Sequence, residues 1–238
     1  MTADRALGQG MSELINAQLV DARMRDLGQS IVNQTVSLFK GGIFALAAAL
    51  LLEIALQPQD RLVHLVLWAA SFLLAMVSYN AHINTSVIVF RESVAAVVVI
   101  VVQMMVELML FAVLTPRPQG APWRFWIVVY AAFQFVTAAR LLVFPMNRGL
   151  KADGSLQPLL DQVEAGRRDS GRRMILFALF ASAVAVPVLW LPEESPWPAI
   201  IATGYGIFAG LYSVYGLTHM HRQRLMMERM IETLLNPK

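Results

Sequence analysis

The chain has 238 residues, of which 57% are hydrophobic and only 15% are charged, against roughly 25% charged in a soluble globular domain. That deficit, together with apolar runs of about twenty residues, places it among membrane proteins. It has no cysteine, which excludes disulfides, thiolate metal sites and cysteine nucleophiles, and its formal charge of +3 is concentrated in particular loops rather than on a nucleic-acid-binding face.

Residues 1–36 form a polar, amphipathic segment without a basic-then-apolar start, so no leader is expected to be removed. Within it Val20, Met24, Leu27 and Ile31 recur at spacings of four, three and four. That short seam suits packing on a partner helix or on the membrane surface.

Six stretches then reach the roughly twenty residues needed to cross a bilayer: 37–57, 62–81, 94–114, 124–144, 174–191 and 197–217. "QPQD", "TPRPQGAP" and "LPEESPWP" punctuate them with proline and polar residues. Residues 82–93 stay apolar and either extend the second span or lie in the interface. The runs are continuous, not alternating, which excludes a transmembrane barrel. The expected fold is therefore all-α: a polytopic bundle of six transmembrane helices over 37–217, with amphipathic cytoplasmic pieces at 1–36, 146–173 and 218–238.

Lysine and arginine give the orientation. With both termini cytoplasmic, only Arg61, Arg117 and Arg124 fall outside, and the other sixteen of the nineteen fall inside. Trp123, Trp126, Trp190 and Trp197 then mark the outer boundary as interfacial anchors. The expected location is the cytoplasmic (inner) membrane.

The 146–173 loop contains a candidate helix capped by Ser155, with Leu156, Leu159, Leu160 and Val163 on one face. Arg167, Arg168, Arg172 and Arg173 follow, suited to anionic headgroups or a partner, although plain inside-positive anchoring explains them as well. The C-terminal tail carries Met227, Met230, Ile231 and Leu234 on one side, a face that tolerates varied partners.

The sixth span holds "TGYG", close to the "TVGYG" of potassium-channel filters. A filter needs non-helical backbone buried in protein, and here the apolar run is uninterrupted. Ala202, Gly206 and Gly210 recur every four residues instead, a small-residue stripe for close helix packing.

Glu107 is the principal ionisable residue at membrane depth, with Gln103 one turn away. Counting inward from the outer ends of the spans brings Tyr130 and Thr203 near the level of Glu107 and Gln134 near that of Gln103. Glu107 has neither a second acid nor a lysine with it, and Arg140 does not qualify as a salt-bridge partner, lying nearer the cytoplasmic end. Two readings follow: a protonatable carboxyl in a polar track that moves protons or cations, or a neutral, hydrogen-bonded carboxyl that locks helices together.

Glu53 and His64 can pair near the outer ends of their spans. His82, His219 and His221 lack the spacing of a metal site, none sits where haem ligation needs it, and no cofactor is expected. No catalytic motif is present. The expected function is non-catalytic assembly, with itself or with partners, through the cytoplasmic helices. The alternative is an ion or proton path through Glu107 and Gln103.

Overall fold

The computed structural model describes residue 30 and residues 33–56, 60–88, 94–116, 121–144, 157–192 and 194–235. Six long helices account for nearly all of them: α1 (Asn33–Leu56), α2 (Arg61–Ile88), α3 (Val94–Ala112), α4 (Trp126–Val143), α5 (Gln157–Trp190) and α6 (Trp197–Leu235). A 3-10 turn over Pro122–Phe125 leads into α4. The N-terminal seam of Val20, Met24, Leu27 and Ile31 lies outside the described residues, as do Ser155 and Leu156. So do the side chains of Leu159, Leu160, Val163, Met227, Met230, Ile231 and Leu234.

Five of these helices, α1, α2, α4, α5 and α6, are long and apolar enough to cross a membrane. The expected third span, 94–114, is the exception. Helix α3 is apolar apart from Gln103 and Glu107, but its Val97–Ala112 stretch is shorter than the other five. Residues 82–88 extend α2 as helix to Ile88, past the apolar stretch that ends at Ile83. Helix α6, at 39 residues, is about 58 Å long, well beyond a hydrocarbon core of about 30 Å.

The turn before α2 is made by Asp60, whose φ of 52° is left-handed, a conformation that aspartate accepts more readily than most residues. Its carbonyl accepts the first bond of the helix from the His64 amide at 3.1 Å and another from His64 Nδ1 at 3.0 Å. Glu53 is exposed, so His64 is engaged by backbone rather than by that carboxylate.

Helices α2 and α6 run parallel and in close contact. A Cβ on Gly206 would meet Leu67 Cδ2 at 2.8 Å and Val66 Cγ1 at 3.0 Å, and one on Gly210 would meet Leu73 Cδ1 at 3.7 Å. Ala202 is fully buried on the same face. The small-residue stripe is thus consumed inside the bundle, where missing side chains let the two backbones approach. Thr203–Gly206 lies in unbroken helix, so its carbonyls are bonded along α6 and cannot line a filter.

Helices α4 and α5 form an antiparallel pair closed at both ends by arginine. Arg124, just before α4, donates to the carbonyls of Leu191 (2.8 Å) and Pro192 (3.2 Å) at the end of α5. Arg167, on α5, donates to the carbonyls of Arg140 (2.8 Å) and Phe144 at the end of α4. Each guanidinium satisfies carbonyls that a helix C-terminus leaves open. Between these ends Gly171 packs so tightly that a Cβ would lie 2.8 Å from Leu142 Cγ.

The buried apolar side chains form two clusters. The larger runs through all the helices and includes Ile43, Ala47, Leu74, Leu110, Phe111, Tyr130, Ala181 and Tyr205. The smaller comprises Val36, Ile100 and Met104, with Phe39 against them. What separates the two is polar.

Candidate functional site

Lys40 is in the second turn of α1, and its side chain is carried into the bundle rather than out to water. Its ammonium lies 2.5 Å from each carboxylate oxygen of Glu107 on α3 and 3.0 Å from Ser78 Oγ on α2. Ser78 Oγ in turn donates to Glu107 Oε2 at 3.3 Å and accepts from Gln103 Nε2 at 3.4 Å. An ammonium has three donors, and here all three are used. Lys40 is 2% exposed and Glu107 is fully buried, so the ion pair is shielded from water on every side and joins three helices.

Two helical repeats build this arrangement. Gln103 and Glu107 are one turn apart on α3, and Ser78 and His82 are one turn apart on α2, so each pair shares a face. Because the two helices are antiparallel, Glu107 meets Ser78, and the Gln103 end of the α3 pair faces toward His82. Along α1, the apolar residues Val36 and Phe39 precede Lys40, and Ile43 and Ala47 follow it. Ile100 and Met104 do the same on α3 on one side, and Leu110 and Phe111 on the other. The polar side chains therefore form one layer between two apolar ones.

The layer is not fully satisfied. Gln103 Oε1 and both ring nitrogens of His82 are buried without a hydrogen-bond partner among the described residues, although Gln103 and His82 are only 5% and 7% exposed. Buried polar groups nearly always have a partner, and orphans mark places where something small and polar fits.

The sequence-expected residues lie on α3, α4 and α6. Gln103 and Glu107 belong to the layer just described. Tyr130 and Gln134 sit on α4, both almost fully buried, and interact with one another one turn apart. Tyr130 stacks on Trp126 with centroids 5.2 Å apart and meets Tyr205 of α6 edge-on at 5.6 Å. Gln134 Oε1 and the Tyr205 hydroxyl have no hydrogen-bond partner among the described residues. Thr203 is half-buried on α6, a helix that packs chiefly on α2. Gln103 and Glu107 thus belong to the α1–α2–α3 ion-pair layer, and Tyr130 and Gln134 to an aromatic column on α4 that reaches Tyr205 of α6.

Depth counting also places Glu107 roughly 10 Å below the outer end of its span, without a cation beside it. The structure corrects this. Glu107 is in the penultimate turn of α3 yet meets the second turn of α1, so α3 is displaced along its axis toward the start of α1. Lys40 and Ser78 are the partners that sequence reasoning missed. The signal available was a lysine three residues into an apolar run, set against a span containing a lone acid.

The four arginines of the basic segment also have distinct settings. Arg167 is turned inward as the α4 cap. Arg168 lies 3.4 Å from Glu164 and Arg173 lies 2.5 Å from Asp169, both exposed pairs of i,i+4 spacing. Arg172 is exposed. His219 stacks on Tyr215, well apart in sequence from buried His82. The chain matches no family model, and no curated protein or solved structure is detectably similar to it.

Proposed function

We propose that the protein is a non-catalytic integral membrane helix bundle that assembles, with itself or with partner proteins, as a membrane subunit, scaffold or anchor through its cytoplasmic helices. One observation carries this reading: the only acid of the apolar spans that is fully buried among the described residues, Glu107, is bonded to Lys40 and Ser78 in a closed set flanked by apolar layers. Such a set fixes which helices meet and offers no continuous polar route across. The continuation of α6 to Leu235, past its apolar part at Trp197–Arg222, supports an extension available to a partner. In this reading both termini are cytoplasmic, the membrane is the cytoplasmic one, and exposed Arg168, Arg172 and Arg173 lie against anionic headgroups. No cofactor or nucleic acid takes part.

A second reading, an ion or proton path through Glu107 and Gln103, is favoured by the orphaned Gln103 Oε1 and His82 beside the ion pair. Ion flux into proteoliposomes of the purified protein, with and without a proton gradient, separates the two. No flux above empty vesicles from a well-folded sample keeps the first reading. Flux that disappears in Glu107→Gln replaces it with the second. Particle mass in nanodiscs tests self-assembly, and a single-chain mass at every concentration removes that part of the first reading.

A further inference from the structure

We propose that the oxygen atoms around the Lys40 ammonium form an occluded site for an alkali-metal cation, with Lys40 as its built-in occupant. This goes beyond the structural reading above and does not require that anything cross the membrane.

The donor set is the first ground. Both oxygens of Glu107 and the hydroxyl of Ser78 lie 2.5–3.0 Å from Lys40 Nζ, and all are hard oxygen ligands of the kind that alkali and alkaline-earth cations take. The ammonium is acting as the bound cation of an oxygen cage built from α2 and α3.

The second ground is the oxygen it leaves over. Gln103 Oε1 is buried without a partner among the described residues, on the amide whose nitrogen lies 3.4 Å from Ser78 Oγ. Lys40 cannot serve it, because its three N–H bonds are spent on the other oxygens. A metal ion has no such limit of direction or number, so it completes with four oxygens a set that the ammonium fills with three.

Charge selects the class of ion. The cage supplies one carboxylate, and the Arg140 charge also acts on this site. A monovalent ion in place of the ammonium preserves the local balance, whereas a divalent ion leaves buried excess positive charge, which is costly. The route for exchange is the lysine itself. It sits in the second turn of α1 on a four-carbon stem, long enough for the head to withdraw toward the end of the bundle where α1 begins.

The test compares purified full-length protein in nanodiscs in sodium chloride, potassium chloride and choline chloride at equal ionic strength. The wild type is expected to unfold at the same temperature in all three. Lys40→Ala is expected to gain on the order of 5 °C in sodium or potassium over choline, saturably with concentration, and Lys40→Ala combined with Glu107→Gln to lose that gain. An unchanged Lys40→Ala midpoint in all three salts overturns the proposal. Should Lys40→Ala fail to fold, reductive methylation of wild-type lysines, read by peptide mass spectrometry, decides instead. Sodium or potassium should raise the labelling of Lys40 severalfold over choline relative to Lys151 and Lys238, and an unchanged ratio overturns the site. Cation binding without flux leaves the proposal intact while the permeation reading fails, so the two are distinguishable.

Discussion

Arg124 and Arg167 close opposite ends of the same antiparallel helix pair, each from the partner of the helix it caps. Both side chains are largely withdrawn from water, at 8% residue exposure for Arg124 and 11% side-chain exposure for Arg167. Each holds two carbonyls that have no intrahelical donor. Replacing either by alanine strands those carbonyls and is expected to cost about 1–3 kcal/mol. Lysine should recover only part, since one ammonium lacks the planar fork that spans two acceptors. Arg172→Ala, at an exposed position that caps neither helix, should change stability by less than about 0.5 kcal/mol. Thermal unfolding of these variants in detergent checks the order.

The Lys40–Glu107 pair should show the asymmetry of buried charge. Removing one partner, as in Lys40→Met or Glu107→Gln, leaves an uncompensated buried group, and an effect of about 3–5 kcal/mol is expected. Replacing both with apolar residues of similar size removes the desolvation cost as well, so Lys40→Met with Glu107→Met should be more stable than either single variant. A double-mutant cycle on unfolding free energies gives the coupling. Additive single effects would mean that the two groups do not act as a pair.

The helices themselves were legible because a continuous apolar run of about twenty residues admits few other structures. Residues 62–81, for example, lie within α2. The site was legible only along one helix. Gln103 and Glu107 share a face by helical period alone, but their partners come from α1 and α2, and nothing in the period tells how far two antiparallel helices slide past one another. That slide is set by side-chain bonds, here Lys40 and Ser78 drawing Glu107 toward the start of α1. Charge rules worked against the answer too, since a lysine near a span end is ordinarily counted as facing water.

Glycine positions on α6 separate packing from mere flexibility. Gly206 faces Leu67 and Val66 at distances a Cβ cannot keep without displacement, whereas nothing lies within 4 Å of a Cβ at Gly204. Gly206→Leu is therefore expected to cost at least about 1–3 kcal/mol through overpacking of the α2–α6 contact. Gly204→Leu should be neutral or slightly stabilising, because leucine is the better helix former. Equal effects at the two positions would contradict the α2–α6 register, and the unfolding midpoints of the pair decide it.

Ser71 and Ser213 offer a matched comparison for a single buried hydrogen bond. Both are almost fully buried, and both donate at 2.8 Å to the carbonyl four residues back, that of Leu67 and that of Ala209. Only Ser71 also accepts a bond from another helix, that of Trp126 Nε1 at 2.7 Å. Alanine at Ser213 removes a bond that merely doubles on an already bonded carbonyl, so little change is expected there. Alanine at Ser71 leaves the indole N–H of a fully buried tryptophan without an acceptor, which should cost about 1–3 kcal/mol. Adding Trp126→Phe to Ser71→Ala removes the orphaned donor, so the second substitution should cost less in that background than in the wild type. Unfolding free energies of the four proteins test this. If Ser71→Ala proves no worse than Ser213→Ala, the bond that ties the start of α4 to the middle of α2 contributes nothing to holding them together.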